Sequence, residues 1–189
     1  MKNLYLVGMA GSGKSYSAQY LIEKYNYKLS KFAFPVYGIA EDYFGMRSKD
    51  RRLLQIIGTE AGRNIVDNDI WVNRFVQDIK IVQESRRFLG LKSQPFILDD
   101  CRFPNEHKAL QLDGWVGIYL FVDEDIRIRR LINRDGTAQL ETLNHYSETA
   151  SEEFKSELFY VDCNGTLEES YRNLEEVVQD HVIEEGDRL

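Results

Sequence analysis

Eight consecutive residues, Gly8-Met9-Ala10-Gly11-Ser12-Gly13-Lys14-Ser15, fill every fixed position of the pattern G-x-x-x-x-G-K-[ST]. Each residue type answers a physical need. Glycines at 8, 11 and 13 let the backbone curl so that successive N–H groups converge on phosphate oxygens. A helix opening near Gly13 adds unsatisfied N–H groups and the positive end of its dipole. Lys14 is spaced to reach β- and γ-phosphates, and the Ser15 hydroxyl to ligate Mg²⁺. Ser12 and Tyr16 stand on either side of Gly13-Lys14-Ser15 and join the expected triphosphate-binding set. A chance glycine-rich turn is the bland alternative, but the flanks suit the motif. Residues 3–7 are apolar and β-prone, and residues 16–25 carry Leu21 and Ile22 among helix-tolerant neighbours. The stretch implies a site for a nucleoside triphosphate with Mg²⁺.

Two further clusters could do chemistry. Pro95-Phe96-Ile97-Leu98 runs straight into Asp99-Asp100, an apolar strand ending in acids. Beyond the carboxyl end of such a strand, a carboxylate can hold Mg²⁺ or its water shell. A turn acid or a cap before Pro104 is the alternative. Arg102 follows two residues later, and its planar fork suits an oxyanion. The other cluster is Arg127, Arg129, Arg130 and Arg134. At helical spacing Arg127, Arg130 and Arg134 share a face and Arg129 does not. Such a run is commonly a solvated face; after a strand of a phosphate-loop domain it could fold over a triphosphate.

The elements that must position these residues alternate. Strand-like stretches at 3–7, 27–32, 95–98, 115–122 and 158–161 are separated by helix-like ones. The helices are expected at 16–25, 33–44, 69–89, 104–112, 123–133 and from about 167, with residues 46–63 polar and basic. Pro35 and Gly45 punctuate the second helix; Asp67, Asn68 and Asp69 offer caps before the third, and Gly90 ends it. Apolar strands alternating with helices indicate a parallel sheet covered on both faces, a single α/β domain. A length of 189 residues, 43% hydrophobic and 12% aromatic content suit one globular core. A formal charge of −7 argues against a non-specific nucleic-acid or anionic-membrane binder. Cys101 and Cys163 read as reduced core thiols, and no stretch reads as a membrane span or a signal peptide. The expected address is cytoplasmic, and the tail from 184 should fray.

Three segments carry a resemblance: Leu54-Gln55-Ile56-Ile57-Gly58-Thr59-Glu60-Ala61-Gly62-Arg63, Asp69-Ile70-Trp71-Val72 and Asp100-Cys101-Arg102-Phe103-Pro104-Asn105-Glu106. With the phosphate loop, the arginine helix ending Asn133-Arg134-Asp135 and His145-Tyr146-Ser147-Glu148, they resemble the deoxynucleoside monophosphate kinases of bacteriophages. The resemblance spans residues 4 to about 176. It implies a P-loop kinase three-layer fold: a five-stranded parallel sheet, a helical substrate-binding insertion at about 34–90 and an arginine-bearing lid at about 127–156. It implies Mg²⁺-dependent transfer of the ATP γ-phosphoryl to a (deoxy)nucleoside monophosphate, and dimers are common in that family. A phage-encoded enzyme would work in the host cytoplasm. Residue by residue, Lys14 and Ser15 carry over as triphosphate and Mg²⁺ ligands, Asp100 as the acid near Mg²⁺ and substrate, and Arg102 as a phosphate ligand. Lys31, Phe32, Glu60, Arg63 and Trp71 fall in the region that receives the monophosphate. Arg127, Arg130 and Arg134 resemble lid arginines, and Asn164-Gly165-Thr166 the loop that passes adenine. Phe34 and Tyr37 stand where the family has an acid and a lysine, which implies a different base or sugar preference or simply a packed helix start.

Some residues keep two readings. Trp71 could plug a core or stack on a base, and Glu60 could be a surface acid or a ribose contact. His107 and His181 read as bystanders on polar helical faces; His145 sits in the expected lid. A monophosphate acceptor is largely ionised at neutral pH (second pKa about 6), so no general base is required. A GTPase-type switch would need N-K-x-D, which is absent; Asp42-Tyr43-Phe44-Gly45 matches only the weak D-x-x-G. The closer rival is a phosphate-loop kinase of another small molecule.

Overall fold

A computed structural model of the chain describes residues 1–136 and 149–183. Among them, five strands form one sheet in the order β2-β3-β1-β4-β5: β1 (Leu4–Val7), β2 (Lys28–Ser30), β3 (Phe96–Leu98), β4 (Val116–Phe121) and β5 (Phe159–Asp162). β1 lies at the centre, parallel to β3 on one side (Leu4 beside Ile97) and to β4 on the other (Leu4 beside Val116), with β5 parallel beyond β4. Between successive strands, helical chain returns to the same end of the sheet, as parallel pairing requires. The α-helices are α1 (Lys14–Tyr25), α2 (Phe34–Phe44), α3 (Arg51–Gln55), α4 (Ile70–Phe88), α5 (Pro104–Leu112), α6 (Glu124–Asp135) and α7 (Leu167–His181). A π-helix, Ile56–Val66, joins α3 to α4, and two short 3₁₀ turns, Ala150–Glu153 and Lys155–Glu157, precede β5.

The alternation of each strand decides which layer its side chains serve. Leu4 and Leu6 of β1, Ile97 of β3, Ile118 and Leu120 of β4 and Val161 of β5 form one core with Ala18 and Leu21 of α1 and Leu174 and Val178 of α7. Tyr5, of opposite parity, turns to the other face and meets His107 of α5, its hydroxyl 2.8 Å from His107 Nδ1. The helices therefore cover both faces of a five-stranded parallel sheet, an α/β fold. Cys101 and Cys163 are both buried free thiols.

Contacts divide the chain into two compact units, Met1–Leu29 with Pro95–Leu189, and Ser30–Gln94. The second has its own apolar centre, built from Val36 and Ala40 of α2, Ile57 of the π-helix and Trp71 of α4. Helix α2 ends at Gly45 in the left-handed region (φ 68), and Gly90 after α4 has the same conformation, as the punctuation predicts. Residues 46–63, which show no regular element in sequence, contain α3 and most of the π-helix. Residues 137–148 of the expected lid (about 127–156), with His145 to Glu148, and the tail from 184 lie outside the described residues.

Candidate phosphate-binding site

The loop between β1 and α1 is shaped by its glycines and by what lies behind it. A Cβ on Gly11 (φ +85) would come within 2.9 Å of the Arg127 carbonyl oxygen and 3.2 Å of Leu131 Cγ, so α6 backs directly onto the loop. Gly13, also left-handed at φ 95, leads into α1, whose Ser17 N–H bonds to the Gly13 carbonyl at 2.9 Å. Ser12 N–H closes a turn on the Met9 carbonyl at 3.1 Å. Lys14 curls back over this loop, its Nζ 2.5 Å from the Gly8 carbonyl oxygen and 3.2 Å from that of Met9. Ser12 is 2% exposed, and among the described residues its hydroxyl has no hydrogen-bond partner. A cation resting on carbonyls, an unpartnered hydroxyl and a curled glycine backbone fit the phosphates of a nucleotide. Tyr16, in the first turn of α1, is 65% exposed.

Ser15 fits the expected metal role, with a different acid beside it. Its hydroxyl donates to Asp99 Oδ2 at 2.9 Å, whereas of the two strand-end acids the resemblance implied Asp100 as the one near Mg²⁺. The reason is parity. Ile97 faces α1, so carrying the alternation two residues on turns Asp99 to the same side and Asp100 away. Asp99 is buried and Asp100 half-buried. A serine hydroxyl and one buried carboxylate, both oxygen donors, suit Mg²⁺, which completes its shell with phosphate oxygens and water. Arg102 is exposed, and its backbone N–H is held 2.7 Å from Glu106 Oε2, which also accepts from Phe103 N–H at 3.0 Å. Glu106 is only 2% exposed, so the D-x-R-F-P-N-E run sets the start of α5 by a buried carboxylate.

The arginine helix departs from expectation at Arg127. It is 7% exposed, and its Nη1 donates to the Ala10 carbonyl at 3.1 Å, so it lies against the phosphate loop. Leu131, one turn on, is buried beside it, which makes this the inward face of α6. Arg130 donates from Nη2 to the carbonyls of Cys163 (2.9 Å) and Gly165 (3.3 Å), tying α6 to the loop after β5. Arg129 pairs at the surface with Asp125, and Arg134 occupies the exposed last turn. In the loop after β5, Asn164 Oδ1 accepts from Asp123 N–H at 2.7 Å, and Thr166 caps α7 by accepting from Glu169 N–H at 3.2 Å. Asn164 and Thr166 thus brace the loop that carries Gly165.

In the Ser30–Gln94 unit, two expected substrate residues, Phe32 and Trp71, turn out to be buried. Phe32 is 3% exposed and tilts against Phe75, ring centroids 4.6 Å apart. Trp71 is 6% exposed and donates from Nε1 to the Gly58 carbonyl at 2.7 Å, so its indole is a core plug and not an open stacking platform. Glu60 pairs with Arg52, Arg63 donates to the Asn68 carbonyl at 3.2 Å, and Lys31 is half-buried. Phe34, 47% exposed at the start of α2, is not a packed core residue.

The histidine reading also changes. His107 is buried, stacked on Phe154 (4.4 Å, 10°), bonded to Tyr5 and 3.3 Å from Glu157 Oε2. The i, i+3 spacing of His107 with Leu110 marks it as inward-facing. His181, exposed, stacks on Phe159.

No protein-family model matches the sequence, and no curated protein is similar to it by sequence. Solved structures are similar in fold. The protein TT1252 of Thermus thermophilus superposes with a TM-score of 0.61 at 18% identity over 97% of this chain and 100% of its own. A shikimate kinase from Bacteroides thetaiotaomicron gives 0.58 at 15% identity over 94% and 98%. A gluconokinase from Sinorhizobium meliloti gives 0.51 at 16% identity over 95% and 94%. What these proteins share with this chain is the fold.

Proposed function

We propose that this chain is a Mg²⁺-dependent kinase that transfers the γ-phosphoryl of ATP to a (deoxy)nucleoside 5′-monophosphate, supplying diphosphates for DNA precursor synthesis. The observation that carries the kinase reading is the Ser15–Asp99 pair beside Lys14 in a curled glycine loop at the head of α1. The acceptor is inferred from the sequence resemblance of residues 54–63, 69–72 and 100–106. In this reading the loop N–H groups and Lys14 bind the triphosphate, Lys14 exchanging the carbonyls of Gly8 and Met9 for phosphate oxygens. Ser15 and Asp99 would hold Mg²⁺, and Asp100 carries over from the resemblance as an acid near Mg²⁺ and the acceptor. Mg²⁺ when bound neutralises charge that builds on the phosphoryl oxygens. An acceptor phosphate oxygen forms the new bond to the γ-phosphorus as the bond to the β-bridging oxygen breaks and ADP leaves. Arg102, Arg130 and Arg134 supply positive charge for phosphates, and the ionised acceptor needs no base. A cytoplasmic setting, the host's if the chain is phage-encoded, and a homodimer without nucleic-acid or membrane partners belong to the same proposal.

A second reading, a kinase of a hydroxyl-bearing metabolite, is favoured by the fold neighbours, which include a shikimate kinase and a gluconokinase. One assay separates the two. ADP release from Mg-ATP is measured with dAMP, dCMP, dGMP, dTMP, their ribose and hydroxymethyl relatives, and with shikimate and gluconate. Stimulation by a subset of the monophosphates is expected. Stimulation by a hydroxyl acceptor alone moves the assignment to the second reading, and no stimulation by any acceptor rejects both.

A further inference from the structure

Arg127 stands out as a charged side chain that the proposed chemistry does not use. It is 7% exposed and donates to the Ala10 carbonyl in the middle of the phosphate loop. Its own helix turn backs onto Gly11, where a Cβ would sit 2.9 Å from the Arg127 carbonyl oxygen and 3.3 Å from its Cα. The described residues contain no cis peptide, so the amide joining Ala10 to Gly11 is trans and planar. In such an amide the C=O and the N–H point in opposite directions. A guanidinium that draws the Ala10 carbonyl toward α6 therefore turns the Gly11 N–H away from α6. We propose that Arg127 is a positioning residue: by holding the Ala10 carbonyl it fixes the Ala10–Gly11 peptide plane and so the phosphate-binding shape of the loop.

The surroundings favour a fixed cation there. Tyr119, 5% exposed on β4, donates to Glu152 Oε1 at 2.7 Å, and Glu152 also pairs with Lys155. Arg127 is among the charges that hold the Glu152 carboxyl below its ordinary value and that temper the rise of the Tyr119 hydroxyl. Its charge is therefore felt by an acid just past residue 148 as well as by the loop. Arg127 is buried, and its guanidinium donates to the backbone of the loop.

The proposal rests on the loop being the triphosphate site. Its test uses the full chain, with the wild type compared with Arg127→Met and Arg127→Lys by amide hydrogen exchange, ATP calorimetry and steady-state turnover. Arg127→Met should speed exchange at residues 9–13 selectively and weaken ATP binding about tenfold, the scale of one charge-assisted hydrogen bond. The same variant should keep kcat within about threefold at saturating ATP. Arg127→Lys, which keeps a cationic donor, should restore most of the affinity. If Arg127→Met does not fold, Arg127→Gln carries the same comparison. Unchanged exchange and affinity overturn the proposal. So does a kcat loss above a hundredfold at unchanged affinity, because that marks a group acting on the transferring phosphoryl. A wild-type chain that binds no ATP overturns the kinase reading instead, and loop exchange alone then decides the role of Arg127.

Discussion

Lys14 rests on the carbonyl oxygens of Gly8 and Met9, where an oxyanion can take over from them without moving the backbone. Lys14→Ala is expected to cut kcat by about a hundredfold or more while the unfolding temperature holds, the scale seen when one preorganised electrostatic group is lost. Near-normal turnover would remove the phosphate-loop assignment. The neighbouring acids can be told apart in the same way. Asp99 bonds to Ser15, so Asp99→Asn should raise the Mg²⁺ concentration for half-maximal rate by more than about tenfold. Asp100→Asn should raise it less. A Mg²⁺ titration in which the two variants change places would return the metal role to Asp100.

At the level of elements, the π-helix Ile56–Val66 depends on Trp71 and Gly62. The indole bonds to the Gly58 carbonyl, and a Cβ on Gly62 would sit 2.6 Å from the Trp71 ring and 2.7 Å from the Ile57 carbonyl oxygen. Asp67 N–H reaches back five residues to the Gly62 carbonyl at 3.0 Å. Trp71→Ala should cost about 3–5 kcal/mol in chemical denaturation, and Gly62→Ala about 1–3 kcal/mol through displacement of the ring. The phosphate loop, the strand cores and the start of α5 were legible because local pattern determines them: Pro104 to Leu112 reads as a helix and is one. The π-helix was not legible, since its i→i+5 bonding leaves no periodicity that polar and basic residues 46–63 could display. Asp99 was legible in principle through the parity of Ile97. Arg127 was not, because its partner Ala10 is 117 residues away in sequence and only the folded sheet brings them together.

For the whole molecule, acid should act partly through Glu152. Burial raises its pKa, but hydrogen bonds from Lys155 and Tyr119 and the charges of Lys155 and Arg127 outweigh this and hold it below its ordinary 4.5. The folded state thus favours the ionised form. The resulting stability is present above about pH 4.5 and is lost as pH falls through the lower folded value. Glu152→Gln should flatten that part of the stability–pH curve; an unaltered acid limb would mean that the carboxylate has no net role. The two thiols carry a different consequence. Cys101 and Cys163 are each 2% exposed, and burial raises both thiols above their ordinary 9.0. A thiol reagent should therefore find no reactive sulfhydryl in the folded chain and two after denaturation. The protein thus offers a blank background for site-specific labelling. Single cysteines introduced at Phe88, 90% exposed in one unit, and at Leu112, 80% exposed in the other, would accept a dye pair without removal of either native thiol.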